Sequence, residues 1–172
     1  DYWGEMERSP DVYRVSHVLY ADDLKLDTPL RTPSSLFCIG NTVYLADTDN
    51  NRIVVLEYTD SKVLVLKDVR TGFNADGKDV NTSFSGPSDV FVNKEDGAIF
   101  VADTNNGRIV KLDKDWNLLL TFVEPDDPTY EKGKVFYPTK VVADSKGRAY
   151  VLAKNVNKGF IKYEDDGTFT GF

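Results

Sequence analysis

Residues 46–57, ADTDNNRIVVLE, align without a gap on residues 102–113, ADTNNGRIVKLD, sharing Ala, Asp, Thr, Asn, Arg, Ile, Val and Leu. Each copy follows an apolar segment led by a proline: Pro33 with SSLFCIGNTVYL and Pro87 with SDVFVNKEDGAIFV. A third, weaker copy follows Pro138 and reads TKVVADSKGRAYVLAKNVNKGFIKYEDDG. Repetition at a period of 40 to 50 residues constrains the architecture before any local reading, because each unit leaves an apolar face that only its neighbour can cover.

Within each unit the apolar residues come in runs of five or six, rich in Val, Ile, Leu, Phe and Tyr and punctuated by Gly, Asn and Asp, which predicts strands. The second unit is expected to hold strands at 88–93, 98–103, 108–113 and 117–123. Tight turns are expected at Asp96-Gly97, Asn105-Asn106-Gly107 and around Lys114-Asp115. The first unit gives 35–39, 42–47, 52–57 and 62–67, and the third 140–143, 148–153, 159–164 and 168–172. Residues 13–20 alternate like one further strand, and no segment has the pattern of an amphipathic helix. Four antiparallel strands per repeat predict an all-β β-propeller, each four-stranded sheet packing its face on the next. The chain then reads as a single partial propeller over 1–172, with an extended segment at 1–12 and blades near 30–67, 84–123 and 136–172.

The segments ADTDNNRI and ADTNNGRI, with their proline-led strands, resemble the NHL-repeat family of propellers over residues 30–172. In the third copy AKNVNKGFI replaces the Asp-to-Arg-Ile segment, so roles that need that Asp and Arg do not extend to it. The whole, including SPDVY near the start and the GRAYVLAKNVNKGFIKYEDDGTFTGF close, looks like NHL-containing extracytoplasmic proteins of Gram-positive gut bacteria. The resemblance implies a secreted or cell-surface location and a rigid rim on which variable loops recognise a partner. Propellers close with four to eight blades, so three blades plus a strand suggest either the amino-terminal half of a longer protein or a homodimeric six-bladed ring. On the first reading, residues 13–20 close a blade whose other strands lie beyond Phe172.

Composition removes other classes. With 41% hydrophobic and 28% charged residues, the 172-residue chain has a globular make-up, which excludes disorder and low complexity. Lys plus Arg is 21 against Asp plus Glu at 28, a net charge of −7. That balance opposes the RNA binding that some animal NHL domains show through a basic face. The apolar runs are far shorter than a membrane-spanning helix requires. Cys38 is the single cysteine, read as a buried structural thiol, and no internal disulfide can form. His17 is the single histidine, so a Ser-His-Asp triad or a His-rich zinc site would have to be built on it. The chain opens at Asp1-Tyr2-Trp3 without an initiator Met or an apolar signal core, as a mature or trimmed chain would, and localisation is not readable from it.

The Asp-Thr-x-Asn-x-Arg-Ile segment spans the turn between second and third strands. Asn and Asp accept left-handed backbone angles and bond the amides of their own turn, while Arg can pair with Asp across it. Asp47, Asn50, Asn51, Arg52, Asp103, Asn105, Asn106 and Arg108 are explained by such a self-satisfied hairpin, a ligand role being the second reading. These turns are expected on the same rim as the long inter-blade connections, 67–86 and 123–137, and connections of this length are often functional. The connections set Phe73, Phe84, Tyr130, Phe136 and Tyr137 among Asp68, Asp76, Asp79, Glu124, Asp126, Asp127 and Glu131. Such a mixture suits a sugar, a cation, or a basic peptide or protein, or else the aromatics plug gaps between blades and the acids are solvated. Candidate ligand-binding residues are Phe73, Asp76, Asp79, Tyr130, Tyr137, Asn50, Asn51, Arg52, Asn105, Asn106 and Arg108.

No catalytic residue, metal ligand or cofactor is assigned. Asp47-Thr48-Asp49-Asn50-Asn51 begins like an EF-hand, but Arg52 takes the glycine position and Tyr58 that of the bidentate Glu. Asp113, Asp115, Asn117 and Glu124 are better spaced, yet Leu118 takes the glycine position. No Gly-rich phosphate loop is present. The expected function is a non-enzymatic binding or scaffolding module. Its alternative is an enzyme resembling the propeller lactonases or the lyases related to the NHL family, with calcium held by carboxylates and Asn.

Overall fold

The computed structural model describes residues 18–61, 63–77, 80–130, 135–154, 156 and 159–172. Twelve strands in these residues form three four-stranded antiparallel sheets, each in simple up-and-down order. The first sheet holds β1 (Pro33–Ile39), β2 (Thr42–Asp47), β3 (Arg52–Tyr58) and β4 (Leu64–Arg70). The second holds β5 (Pro87–Val92), β6 (Ile99–Asp103), β7 (Arg108–Leu112) and β8 (Leu118–Phe122). The third holds β9 (Tyr137–Ala143), β10 (Ala149–Lys154), β11 (Ile161–Tyr163) and β12 (Phe169–Gly171). The helical elements among the described residues are two single 3-10 turns, Thr48–Asn50 and Thr104–Asn106, both in β2–β3-type hairpins.

The first two sheets begin at a proline and the third has one as its second residue, Pro138, because the first strand lies at the sheet edge, where a missing N–H costs no ladder bond. Register is equivalent from sheet to sheet: Leu36 pairs with Leu45, Val90 with Val101 and Val141 with Val151. Alternation along each strand then sends one residue set to each face. Phe37, Tyr44, Ala46 and Ile53 of the first sheet pack on Val90, Val101, Val110 and Leu112 of the second. Phe91, Phe100, Ala102 and Ile109, on the opposite face of the second sheet, pack on Val141, Val151, Ile161 and Tyr163 of the third. The second sheet is therefore covered on both sides. Residues 19–30 lay Leu24, Leu26 and Leu30 on the remaining face of the first sheet, against Leu45, Val54 and Leu56.

Most expected strands coincide with observed ones to within two residues. The largest shift is in the fourth, which runs Leu64–Arg70 because the Thr59 amide donates to the Val63 carbonyl and closes a wider turn. β9 starts at Tyr137, three residues early, since the ladder continues past a bulge to pair Pro138 with Ala153. The expectation of a buried Cys38 is corrected: it lies on the outward side of β1, at the sheet's first edge, and is exposed. Of the segment 13–20, residues 18–20 are not in a strand, and 13–17, with His17, lie outside the described residues.

Candidate functional site

The two matching hairpins are built alike. The Asp47 carboxylate accepts from Arg52 Nε at 2.6 Å, Asn50 Nδ2 at 2.8 Å and the Arg31 amide at 2.6 Å. Asp103 accepts from Arg108 Nε at 2.8 Å, Asn106 Nδ2 at 2.8 Å and the Ser85 amide at 2.7 Å. Both carboxylates are fully buried. The guanidinium groups reach onward to backbone carbonyls, Arg52 to Thr28 at 2.8 Å and Arg108 to Ser83 at 3.2 Å. A buried ion pair is tolerated when its remaining lone pairs and protons find partners. Here it clamps the chain entering a blade to that blade's own central turn.

The left-handed position closing each turn is Asn51 (φ 54°) in one copy and Gly107 (φ 62°) in the other, the residue types that best accept it. Asn51 adds a bond between blades, its side-chain carbonyl accepting from the Gly86 amide at 2.7 Å. Asn105 packs so closely on Gly86 that a Cβ there would lie 2.4 Å from its amide nitrogen. Asn50, Arg52, Asn106 and Arg108 are thus engaged inside the hairpins, as the self-satisfied reading expects. In the third sheet Ala153 and Gly159 occupy the Asp and Arg positions, so no clamp of this kind can form there.

The long connections do lie on this rim, since Asn106 Nδ2 donates to the Ser83 carbonyl and Asn51 meets Gly86. Their aromatics turn inward. Phe73 and Phe84 are buried beside Trp116, with the Arg108 guanidinium 5.1 Å from the Phe73 ring centroid. Tyr130 is buried, stacked on Phe172, and its hydroxyl has no hydrogen-bond partner among the described residues. Burial, with the Glu124 charge, raises the Tyr130 phenol above its ordinary value. Phe73 and Tyr130 therefore fill the wedge between sheets and present no ring on the rim. Tyr137 is half-buried at the start of β9 and Asp76 is exposed, while Asp79 and Glu131 lie outside the described residues.

Open space on the rim lies in the first connection. Its two limbs are tied together, the Phe73 amide donating to Thr82 at 3.0 Å and the Phe84 amide to Thr71 at 2.9 Å. Gly72 permits that approach, since a Cβ there would fall 2.2 Å from the Thr82 carbonyl oxygen. Beside the tie is a cleft of about 280 Å³, lined by Arg70, Thr71, Asn74, Thr82 and Ser83 over Phe73. A smaller one of about 130 Å³ joins Asn74 and Asp76 to Asn117. Sequence reasoning located the loop and named Asp76, but missed Arg70, Thr71, Asn74, Thr82 and Ser83, for which its length was the available signal.

A second polar row runs along the inner strands. The Ser34 hydroxyl donates to the Ser88 carbonyl at 2.9 Å, and the Ser88 hydroxyl to the Thr139 carbonyl at 3.0 Å. One position further along, Asp89 accepts from the Ser35 hydroxyl, from the Val141 amide at 2.9 Å and from Lys140 Nζ at 3.3 Å. Among the described residues no three His, Cys, Asp or Glu side chains converge as a metal would need. At the opposite end of the sheets, the Arg148 guanidinium holds the Asp144 carboxyl down at about 2.

Three sheets packed face to face, each with a proline at the start of its first strand and clamped by a turn Asp where one is present, define a β-propeller. Residues 84–112, which are most of the second sheet, match the family model of the NHL repeat. No curated protein matches the chain. Among solved structures, a streptogramin B lyase superposes with a TM-score of 0.55 at 16% identity, covering 86% of this chain and 42% of that one. A Bacteroides fragilis protein provisionally described as exported gives 0.54 at 12% identity, over 83% and 38%. A protein from Bacteroides uniformis provisionally described as a 6-phosphogluconolactonase gives 0.52 at 18%, over 84% and 43%. The chain thus spans about two-fifths of the length of the structures whose fold it shares.

Proposed function

We propose that this chain is a non-enzymatic binding or scaffolding module whose ligand, a carbohydrate, peptide or protein, is held at the rim cleft between first and second sheets. The carrying observation is the division of labour on that rim. The repeated Asp and Arg side chains spend their bonding capacity inside the clamps, whereas Thr71, Thr82 and Ser83 edge open space beside Arg70, which pairs with Asp68 at 2.6 Å, and Asn74, whose side-chain amide donates to Asp115 and Asn117. Hydroxyls, an amide and a guanidinium around a shallow cleft suit a small polar group such as a sugar or a peptide backbone. Tyr137, at the start of β9, would extend the contact along that rim, Asp76 lines the smaller cleft beside Asn117, and Asp79 is added from the sequence alone. An extracytoplasmic site of action is part of this reading, supported by the sequence resemblance and by the provisional description of one neighbour as exported. Among the described residues no helix is long and apolar enough to cross a membrane.

The competing reading is a calcium-dependent enzyme of lactonase or lyase type; neighbours described as a lyase and, provisionally, as a lactonase speak for the enzyme class and not for the metal. Glycan and peptide arrays probed with wild type and with Asn74→Ala and Tyr137→Ala separate the two. Signal in wild type that falls at least about tenfold, or 1.4 kcal/mol, in the variants is expected. Equal signal from all three would remove the cleft from consideration, and a melting temperature raised by calcium and restored by chelator would favour the enzyme.

A further inference from the structure

The repeat register assigns each residue of one sheet an equivalent in the others. On the face by which a sheet packs on the next, the first sheet carries Phe37, Tyr44, Ala46 and Ile53, and the second Phe91, Phe100, Ala102 and Ile109. The third sheet carries Val142, Tyr150, Leu152 and Phe160 at the same four positions, with Phe160 set edge-on against Tyr150 at 5.6 Å. In the first two sheets the Ala and Ile of this set are 0% exposed beneath the following sheet. In the third, Val142 is 52%, Leu152 48% and Phe160 48% exposed.

The opposite end of the arc has the complementary vacancy. Residues 19–30 cover the outer strands of the first sheet, just as the connection 71–86 covers those of the second. Thr32 (φ 51°) even repeats the left-handed turn of Gly86 (φ 55°) before the leading proline. Nothing described covers the inner strand there, where Leu36 is 59% exposed and Cys38 is also exposed. Their equivalents, Val90 and Val92, are buried with Phe37. Charge agrees with the match: Asp22, Asp23 and Asp27 surround Lys25 on the covering segment, and Lys154 flanks the exposed face of the third sheet, where Lys162 is already paired with Glu164 at 2.9 Å.

We propose that the exposed face of the third sheet docks on the first sheet of a second copy of this chain, the two copies closing head to tail into a ring of two three-bladed halves. Six blades fall within the four to eight with which propellers close. Two symmetric contacts form, and each repeats the blade-on-blade packing already present twice within the chain. Val142 of one copy meets Leu36 and Cys38 of the other, as Phe37 meets Val90 and Val92. The inference is independent of what the rim binds.

Light scattering coupled to size exclusion is expected to give twice the chain mass across the micromolar range. The double variant Leu152→Asp with Phe160→Asp should run as a monomer with an unchanged β-sheet circular dichroism spectrum, both residues being surface-exposed in the free chain. Val142→Cys should form a disulfide-linked dimer with the native Cys38 under mild oxidation, and Cys38→Ser added to it should abolish the link. A wild-type monomer at every concentration would overturn the proposal, leaving the face to a blade from a different source. A dimer that survives the two aspartates, or one in which Val142→Cys fails to cross-link, would overturn it as well.

Discussion

Asp103 gathers three donors from three directions: the guanidinium of Arg108 directly opposite on β7, the side-chain amide of Asn106 in the turn and the backbone amide of the entering chain at Ser85. Its side chain has no exposed surface, so removing it leaves Arg108 charged in a poorly solvated place. Asp103→Ala should cost about 3 to 5 kcal/mol by urea denaturation, and adding Arg108→Ala should cost little more, because the second change removes the orphaned charge. Strictly additive losses would show that the two side chains act separately. The motif's residue types made this pair legible in sequence, since Asp and Arg five apart across a tight turn can meet. The backbone amide that completes the carboxylate's shell came from 18 residues away, where no local pattern points.

Between strands, the hairpin joining β7 to β8 carries Trp116 in the left-handed region (φ 66°), where the equivalent turn of the third sheet has Gly167 (φ 90°). An aromatic residue tolerates that backbone only if its ring is well used. The indole is buried, 6.4 Å from the Phe84 ring, with the Arg70 guanidinium 5.5 Å from its centroid. Trp116→Gly sets relief of about 1 to 2 kcal/mol in the turn against about 3 to 5 kcal/mol of lost packing. Packing should win, giving a lower urea midpoint; a variant more stable than wild type would mean the turn strain dominates. The strands themselves were readable from period-two alternation, and so was the existence of the connection after Arg70, but not its course. Its Asn74 backbone joins β8 between Trp116 and Leu118, so the loop is ordered by a strand some 40 residues later.

Across the whole arc, protection should follow how many faces of a sheet are covered. The second sheet is sandwiched, and its β6 and β7 should exchange amide hydrogens most slowly. β11 and β12, three residues each at the end of the arc, should exchange at least about tenfold faster in the monomeric Leu152→Asp, Phe160→Asp variant. Uniform protection would mean that the three sheets open as a single unit, against the nearest-neighbour stability expected of stacked repeats.

The repeat, the strand content and the hairpin chemistry were legible before any coordinates, because each depends on residues within a few positions of one another: alternation, turn formers and a charge pair across a turn. Tertiary structure alone decided that Phe73 and Tyr130 face the interior, that Cys38 faces outward, and that Arg70, Asn74 and Thr82 edge a cleft. Those outcomes depend on which sheet face meets which neighbour. Radial stacking settles that over separations of 40 residues and more, a range at which local patterning carries no directional information.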